Sequence, residues 1–230
     1  MHFDLRYRPA HTLAVAELSP GESVRAEASA MISMSAGIRV TTEGPLGRSP
    51  GGFLRGMKRA VLGGESFFTN TFTAAGAPGH VTLAPALSGD MVVHGLAPGE
   101  DLFIQGGSYV AAPDTVRLDT EFQGMKGFLS GESLFFLRAE GSGPVLMNAF
   151  GAIAVVDLDG ALVVDTGHLV AFTAGIRYSV TTASSGLIAS FLSGEGFVLN
   201  VEGRGRLYLQ SRNPSEYGSA VGRSLPTREQ

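Results

Sequence analysis

The stretch Ser130-Gly131-Glu132-Ser133-Leu134-Phe135-Phe136 decides how this chain folds, because it occurs in three versions. The others are Gly63-Gly64-Glu65-Ser66-Phe67-Phe68 and Ser193-Gly194-Glu195-Gly196-Phe197-Val198. In each, a Gly-Glu pair opens a short apolar run that leads to a glycine turn: Gly76, Gly141-Ser142-Gly143 and Gly203-Arg204-Gly205. Seen once, such a charged motif suggests an active site. Seen three times, with Glu65, Glu132 and Glu195 spaced 67 and 63 residues apart, it is the punctuation of an internal repeat.

Around these anchors, other segments recur. Pro20-Gly21-Glu22 and Pro98-Gly99-Glu100 are β-turn sequences. Gly37-Ile38-Arg39, Thr115-Val116-Arg117 and Gly175-Ile176-Arg177 each carry an arginine after an apolar residue. Runs of four to six residues rich in Val, Ile, Phe, Thr and Tyr read as strands, and helical periodicity is nearly absent. Runs that are apolar on both faces, such as Leu134 to Leu137, suit strands buried between sheets, so the units need one another. The expectation is one all-β domain over residues 1–212, with units at about 17–95, 96–163 and 164–212 around a pseudo-threefold axis. The polar residues 213–230 read as a flexible tail. The first unit carries extra length, in which Phe53, Leu54, Met57, Val61 and Leu62 are spaced as one face of a short helix.

Composition narrows the function. At 230 residues the chain buries a real core without staples, and its lack of cysteine excludes disulfides and thiolate metal sites. Hydrophobic residues are 44% and charged ones 17%, as in a compact soluble protein, and no apolar run is long enough to cross a bilayer. No signal-peptide core stands near the N-terminus, and a cytoplasmic location is expected. The net charge of −4 speaks against a dedicated nucleic-acid binder.

Four segments together resemble a known family: Gly64-Glu65-Ser66-Phe67-Phe68, Val164-Asp165-Thr166-Gly167-His168-Leu169-Val170-Ala171-Phe172, Ser193-Gly194-Glu195-Gly196, and Gly203-Arg204-Gly205-Arg206-Leu207-Tyr208-Leu209-Gln210. The chain resembles, over roughly residues 3 to 212, the bacterial and archaeal branch of the altered-inheritance-of-mitochondria proteins. The resemblance implies a two-sheet β fold like that of the tryptophan RNA-binding attenuation protein (TRAP-like, akin to a double-stranded β-helix). It implies no established molecular activity, and it carries over no catalytic residues. The mitochondrial members are linked to organelle organisation.

The residues themselves supply few chemical candidates. No two of His2, His11, His80, His94 and His168 lie within four residues, so the His-x-His pair of a cupin-like metal site is absent, and no metal or cofactor is expected. Asp165 and His168 are weak polar candidates, better read as a strand-end turn in which the aspartate caps backbone groups. A Gly-x-Ser-x-Gly elbow is absent, so the chain is not expected to be an enzyme. Three like charges at Glu65, Glu132 and Glu195 would repel if gathered on an axis. Pairing them with Arg39, Arg117 and Arg177, to hold strand register, is the better expectation. Arg48, Arg55, Lys58 and Arg59 form a basic loop that is the candidate surface for nucleic acid or anionic membrane. The expected role is a binding or scaffold protein of unknown ligand that self-associates, since folds with many strand edges tend to pair them; a nucleic-acid or membrane-surface binder acting through the basic loop, and an enzyme of unknown reaction with Asp165 and His168 as its candidates, are the alternatives.

Overall fold

The computed structural model describes residues 1–43, 69–119, 136–181 and 198–226. Seven strands come first: β1 (His2–Arg6), β2 (Leu13–Leu18), β3 (Ser23–Glu27), β4 (Met31–Met34), β5 (Ile38–Glu43), β6 (Thr69–Ala74) and β7 (Gly79–Leu83). Then come β8 (Met91–Leu96), β9 (Asp101–Gln105), β10 (Tyr109–Pro113), β11 (Val116–Asp119), β12 (Phe136–Gly141) and β13 (Gly143–Asn148). The series ends with β14 (Ile153–Asp165), β15 (Leu169–Thr173), β16 (Ile176–Thr181) and β17 (Val198–Gln210), followed by one helix, α1 (Pro214–Ser224). The fold is all-β, as expected from the alternating apolar runs.

Among the described residues the strands form three antiparallel sheets, in the orders β1-β2-β7-β4, β5-β6-β3-β10-β13-β8 and β11-β12-β9-β15-β17-β14, with β16 on the free side of the first half of β17. The pairing registers recur. β10 joins β3 with Ala112 opposite Arg25, and β15 joins β9 with Phe172 opposite Phe103. The expected threefold axis is not established by these pairings. Strands β14 and β17 also run unbroken through segments that are split earlier in the chain. Ala97-Pro98-Gly99-Glu100 separates β8 from β9, whereas Asp159-Gly160 has no proline to stop the ladder, so β14 crosses the unit boundary placed at residue 164.

The turns behave as their residues dictate. Gly21 and Gly99 adopt φ of 83° and 82°, a left-handed conformation that glycine reaches without strain. In the same turns, Glu22 accepts a hydrogen bond from the Ser19 amide at 2.7 Å, and Glu100 accepts one from the Ala97 amide at 3.0 Å. The glutamate of each Pro-Gly-Glu turn therefore closes the turn that carries it.

The described apolar residues gather in three clusters. Leu18, Val24, Phe72, Leu83 and Leu146 form the first; Leu102, Ile104, Tyr109, Leu137 and Met147 the second; Phe136, Leu169, Phe172, Leu199 and Leu207 the third. Each fully buried large side chain contributes about 1.5–3 kcal/mol of transfer free energy. In the third cluster, Phe172 stacks on Phe103 with ring centres 5.2 Å apart and meets Phe136 edge-on at 5.4 Å. Beneath the first loop, the buried carboxylate of Asp90 receives two hydrogen bonds from Arg8, at 2.8 and 2.9 Å, and one from Thr12 at 3.1 Å.

Helix α1 lies within residues 213–230, which the sequence reading expects to be a flexible tail. Its start is encoded locally: Asn213 accepts hydrogen bonds from the amides of Ser215 and Glu216, and Pro214 follows at the first helical position. The helix buries no residue, and Tyr217 meets Phe150 edge-on at 5.1 Å. With glycine at 218 and 222 and so little apolar surface, helical periodicity is too faint to read from the sequence. The helix expected over Phe53 to Leu62 lies outside the described residues.

Candidate functional site

The described polar side chains converge most clearly beside β17. There a groove of about 600 Å³ is lined by His94 and Gly95 of β8, Glu100 of the following turn, Asp157 to Asp159 of β14, Thr173 of β15, and Arg204 to Arg206 of β17. The period of two along a strand explains the charges. Asp157 and Asp159 project to one face of β14, and Arg206 and Arg204 stand directly opposite them on β17. Arg206 Nε reaches Asp157 at 3.1 Å, and Arg204 reaches Asp159 at 2.6 Å. All four side chains are at least half exposed, so each pair is worth only about 0–1 kcal/mol.

His94 of the lining is buried, and so is its partner Tyr208, which does not itself line the groove. His94 is 5% exposed and Tyr208 2%. His94 Nδ1 lies 2.7 Å from the Tyr208 hydroxyl, and the two rings meet edge-on. His94 Nε2 makes no well-aligned hydrogen bond but sits 3.2 Å from Glu100 Oε1. With neutral imidazole, the consistent arrangement has Tyr208 donating to Nδ1 while Nε2–H faces Glu100. Burial pushes the His94 pKa below its ordinary value; Glu100 opposes the shift and Arg206 reinforces it. Burial likewise pushes the Tyr208 phenol up, against the neighbouring Arg206.

Asp165 caps the turn after β14, accepting from the Gly167 amide at 2.7 Å, as Gln105 does for Gly107 after β9. His168 Nδ1 lies 2.7 Å from the Gln210 carbonyl oxygen. The two therefore serve separate backbone partners. Among the described residues, no three His, Asp or Glu side chains are grouped to hold a metal ion. Arg39, Arg117 and Arg177 are exposed on β5, β11 and β16. Arg117 lies 3.8 Å from Glu140, and Arg177 stands opposite Glu202 in the ladder. Glu65, Glu132 and Glu195 lie outside the described residues, as does the basic loop with Arg48, Arg55, Lys58 and Arg59.

The sequence matches the family described as mitochondrial biogenesis AIM24 across residues 3–212. The chain belongs to this AIM24 family. It is 28% identical over 232 aligned residues to an uncharacterised protein of Streptococcus pyogenes serotype M6, covering 99% of this chain and 92% of that one. Its fold is similar to the crystal structure of a Streptococcus pyogenes protein solved in a structural-genomics programme, with a TM-score of 0.77 and 25% identity over 97% of this chain and 99% of the other. In this AIM24 family chain, no helix among the described residues is long and apolar enough to cross a membrane.

His94, Glu100 and Asp157 were not legible as a site from sequence, since they lie far apart in the chain and no local motif unites them. A usable signal did exist. Asp-x-Asp at 157–159 and Arg-x-Arg at 204–206 are matched alternating charges on two runs that both read as strands.

Proposed function

We propose that this protein is a non-enzymatic binding protein whose groove beside β17 receives a small molecule carrying both a positive and a negative charge. The observation that supports this is the paired charge ladder Asp157–Arg206 and Asp159–Arg204 in a groove that buried His94, held by Tyr208, also lines. Because exposed pairs are weak, a ligand carboxylate can displace Asp157 or Asp159 from its arginine, and a ligand ammonium group can take up the released carboxylate, at small cost. Glu100 beside His94 offers a further acceptor for a cationic group. The volume lies in the range of small-molecule sites, and fixed polar groups set orientation there. His94 is held neutral, with one nitrogen engaged by Tyr208, which suits a structural role better than proton transfer.

The test is a thermal-shift survey of free amino acids and betaines against simple anions and cations. The reading expects stabilisation by one or more zwitterions and its loss in Arg204→Ala and Asp157→Ala variants. Equal response of wild type and both variants, or no stabilisation by any zwitterion, overturns it.

A further inference from the structure

Each sheet ends in strands with one side unpaired among the described residues, and two of these edges are counterparts. One is β4, which pairs with β7 on one side only; the other is the C-terminal half of β14, which pairs only with β17. Elsewhere in the chain the matching edges are joined. β10 matches β4, and it pairs with β3; β15 also matches β4, and it pairs with β9.

The match can be made residue by residue. β4, β10 and β15 each contain a register shift against a sheet neighbour (β7, β13 and β17), between Met31 and Ser33, Tyr109 and Ala111, and Leu169 and Ala171. Met34 of β4 thus corresponds to Ala112 and Phe172. On the other side, Val163 stands opposite Asn200 of β17, as Phe103 stands opposite Arg138 and Arg25 opposite Thr71. Val163 thus corresponds to Phe103 and Arg25. The two joins already made set Ala112 against Arg25 and Phe172 against Phe103. The unmade third join sets Met34 against Val163, with Ser33 against Val164 and Ser35 against Leu162.

The side chains agree. Met31, Ile32 and Met34 on β4, and Leu162 and Val163 on β14, are among the exposed large apolar residues, with Ile32 at 56% and Val163 at 58%. An apolar strand edge with free backbone N–H and C=O groups is a template for pairing with another chain. Each chain carries one edge of each kind, so head-to-tail joining satisfies both, and closure of such joins gives a ring. We infer that copies of this chain assemble by antiparallel pairing of β4 of one copy with the C-terminal half of β14 of the next, in the register Met34 opposite Val163.

The absence of native cysteine makes this directly testable. Met34→Cys and Val163→Cys are prepared as separate proteins, mixed and oxidised, alongside Met34→Cys with the register-shifted Ala161→Cys. Facing residues of an antiparallel pair lie within disulfide reach. The expected result is a mixed Met34→Cys/Val163→Cys disulfide several-fold more abundant than the shifted pair or either homodimer. The unsubstituted protein should sediment at a multiple of its 23.9 kDa chain mass. A doubly substituted chain that oxidises only within itself shows that the edges close inside one molecule and overturns the inference. A monomeric mass for the unsubstituted protein, or equal crosslinking of the shifted pair, also overturns it. None of these readouts depends on a ligand in the groove.

Discussion

Replacing Tyr208 by Phe removes the one oxygen that holds His94 Nδ1 and leaves the ring's packing in place. The lost contact is the 2.7 Å bond to His94 Nδ1, between residues that are 2% and 5% exposed. In the variant, Nδ1 remains buried without its partner, and leaving a buried polar group unsatisfied costs about 1–3 kcal/mol. For a chain of this length each kcal/mol moves the melting temperature by about 2–4 °C. The expected loss is therefore roughly 2–12 °C, with a lower urea midpoint at unchanged slope in circular dichroism. A double-mutant cycle isolates the bond. Tyr208→Phe introduced into His94→Leu should cost less than about 0.5 kcal/mol, because no imidazole is left stranded. A neutral effect of Tyr208→Phe in the native background, or the same cost in both backgrounds, refutes the coupling of these two residues.

Other consequences follow from the same structure. Because His94 has a depressed pKa when folded, its contribution to stability is fully present above its unfolded value near 6.5 and is lost as pH falls toward the lower folded value; melting temperature should drop with acidification across that window, less so in His94→Gln. Arg8→Ala should cost about 1.5–3 kcal/mol by chemical denaturation, since it strips two charged hydrogen bonds from buried Asp90. Burial opposes the Asp90 charge, yet Arg8, the Met91 amide and Thr12 together hold its pKa below the ordinary range, so its stabilisation is present above pH about 3.9 and lost as pH falls below that. Gly203→Ala should destabilise by more than about 1 kcal/mol in the same assay, because φ there is 129° and a Cβ would stand 2.2 Å from the Gly175 carbonyl oxygen. Asn213→Ala removes the cap of α1 and should speed amide exchange in residues 215–224 by several-fold without moving the global melt, since that helix buries nothing.

The strands were legible because local pattern and tertiary need coincide. Runs such as Leu102 to Ile104 or Val145 to Met147 are apolar wherever sheets cover them, and Pro-Gly-Glu turns announce their own closure. The continuous ladders of β14 and β17 were harder to see, because Gly160 and Gly203 look like turn residues and are in fact glycines at positive φ inside paired strands. The groove stayed hidden for a different reason. His94 reads as an isolated histidine until β13 brings β8 alongside, and β17 then carries Tyr208 to within a hydrogen bond of it across 114 residues of sequence. Asp165 and His168 drew notice by proximity in the chain, but the turn between them gives each its own backbone partner.

The central claim is that the charge ladder beside β17 recognises a ligand of both charges, and amide chemical-shift mapping tests it most directly. Uniformly labelled protein is titrated with the zwitterion that gives the largest thermal shift, or with glycine betaine and free arginine if none stands out. The account predicts saturable shifts concentrated at Gly95, Leu158, Thr173 and Gly205, which line the groove, with little change in β1 to β7. Shifts absent at those four amides, or centred elsewhere in the protein, would contradict it.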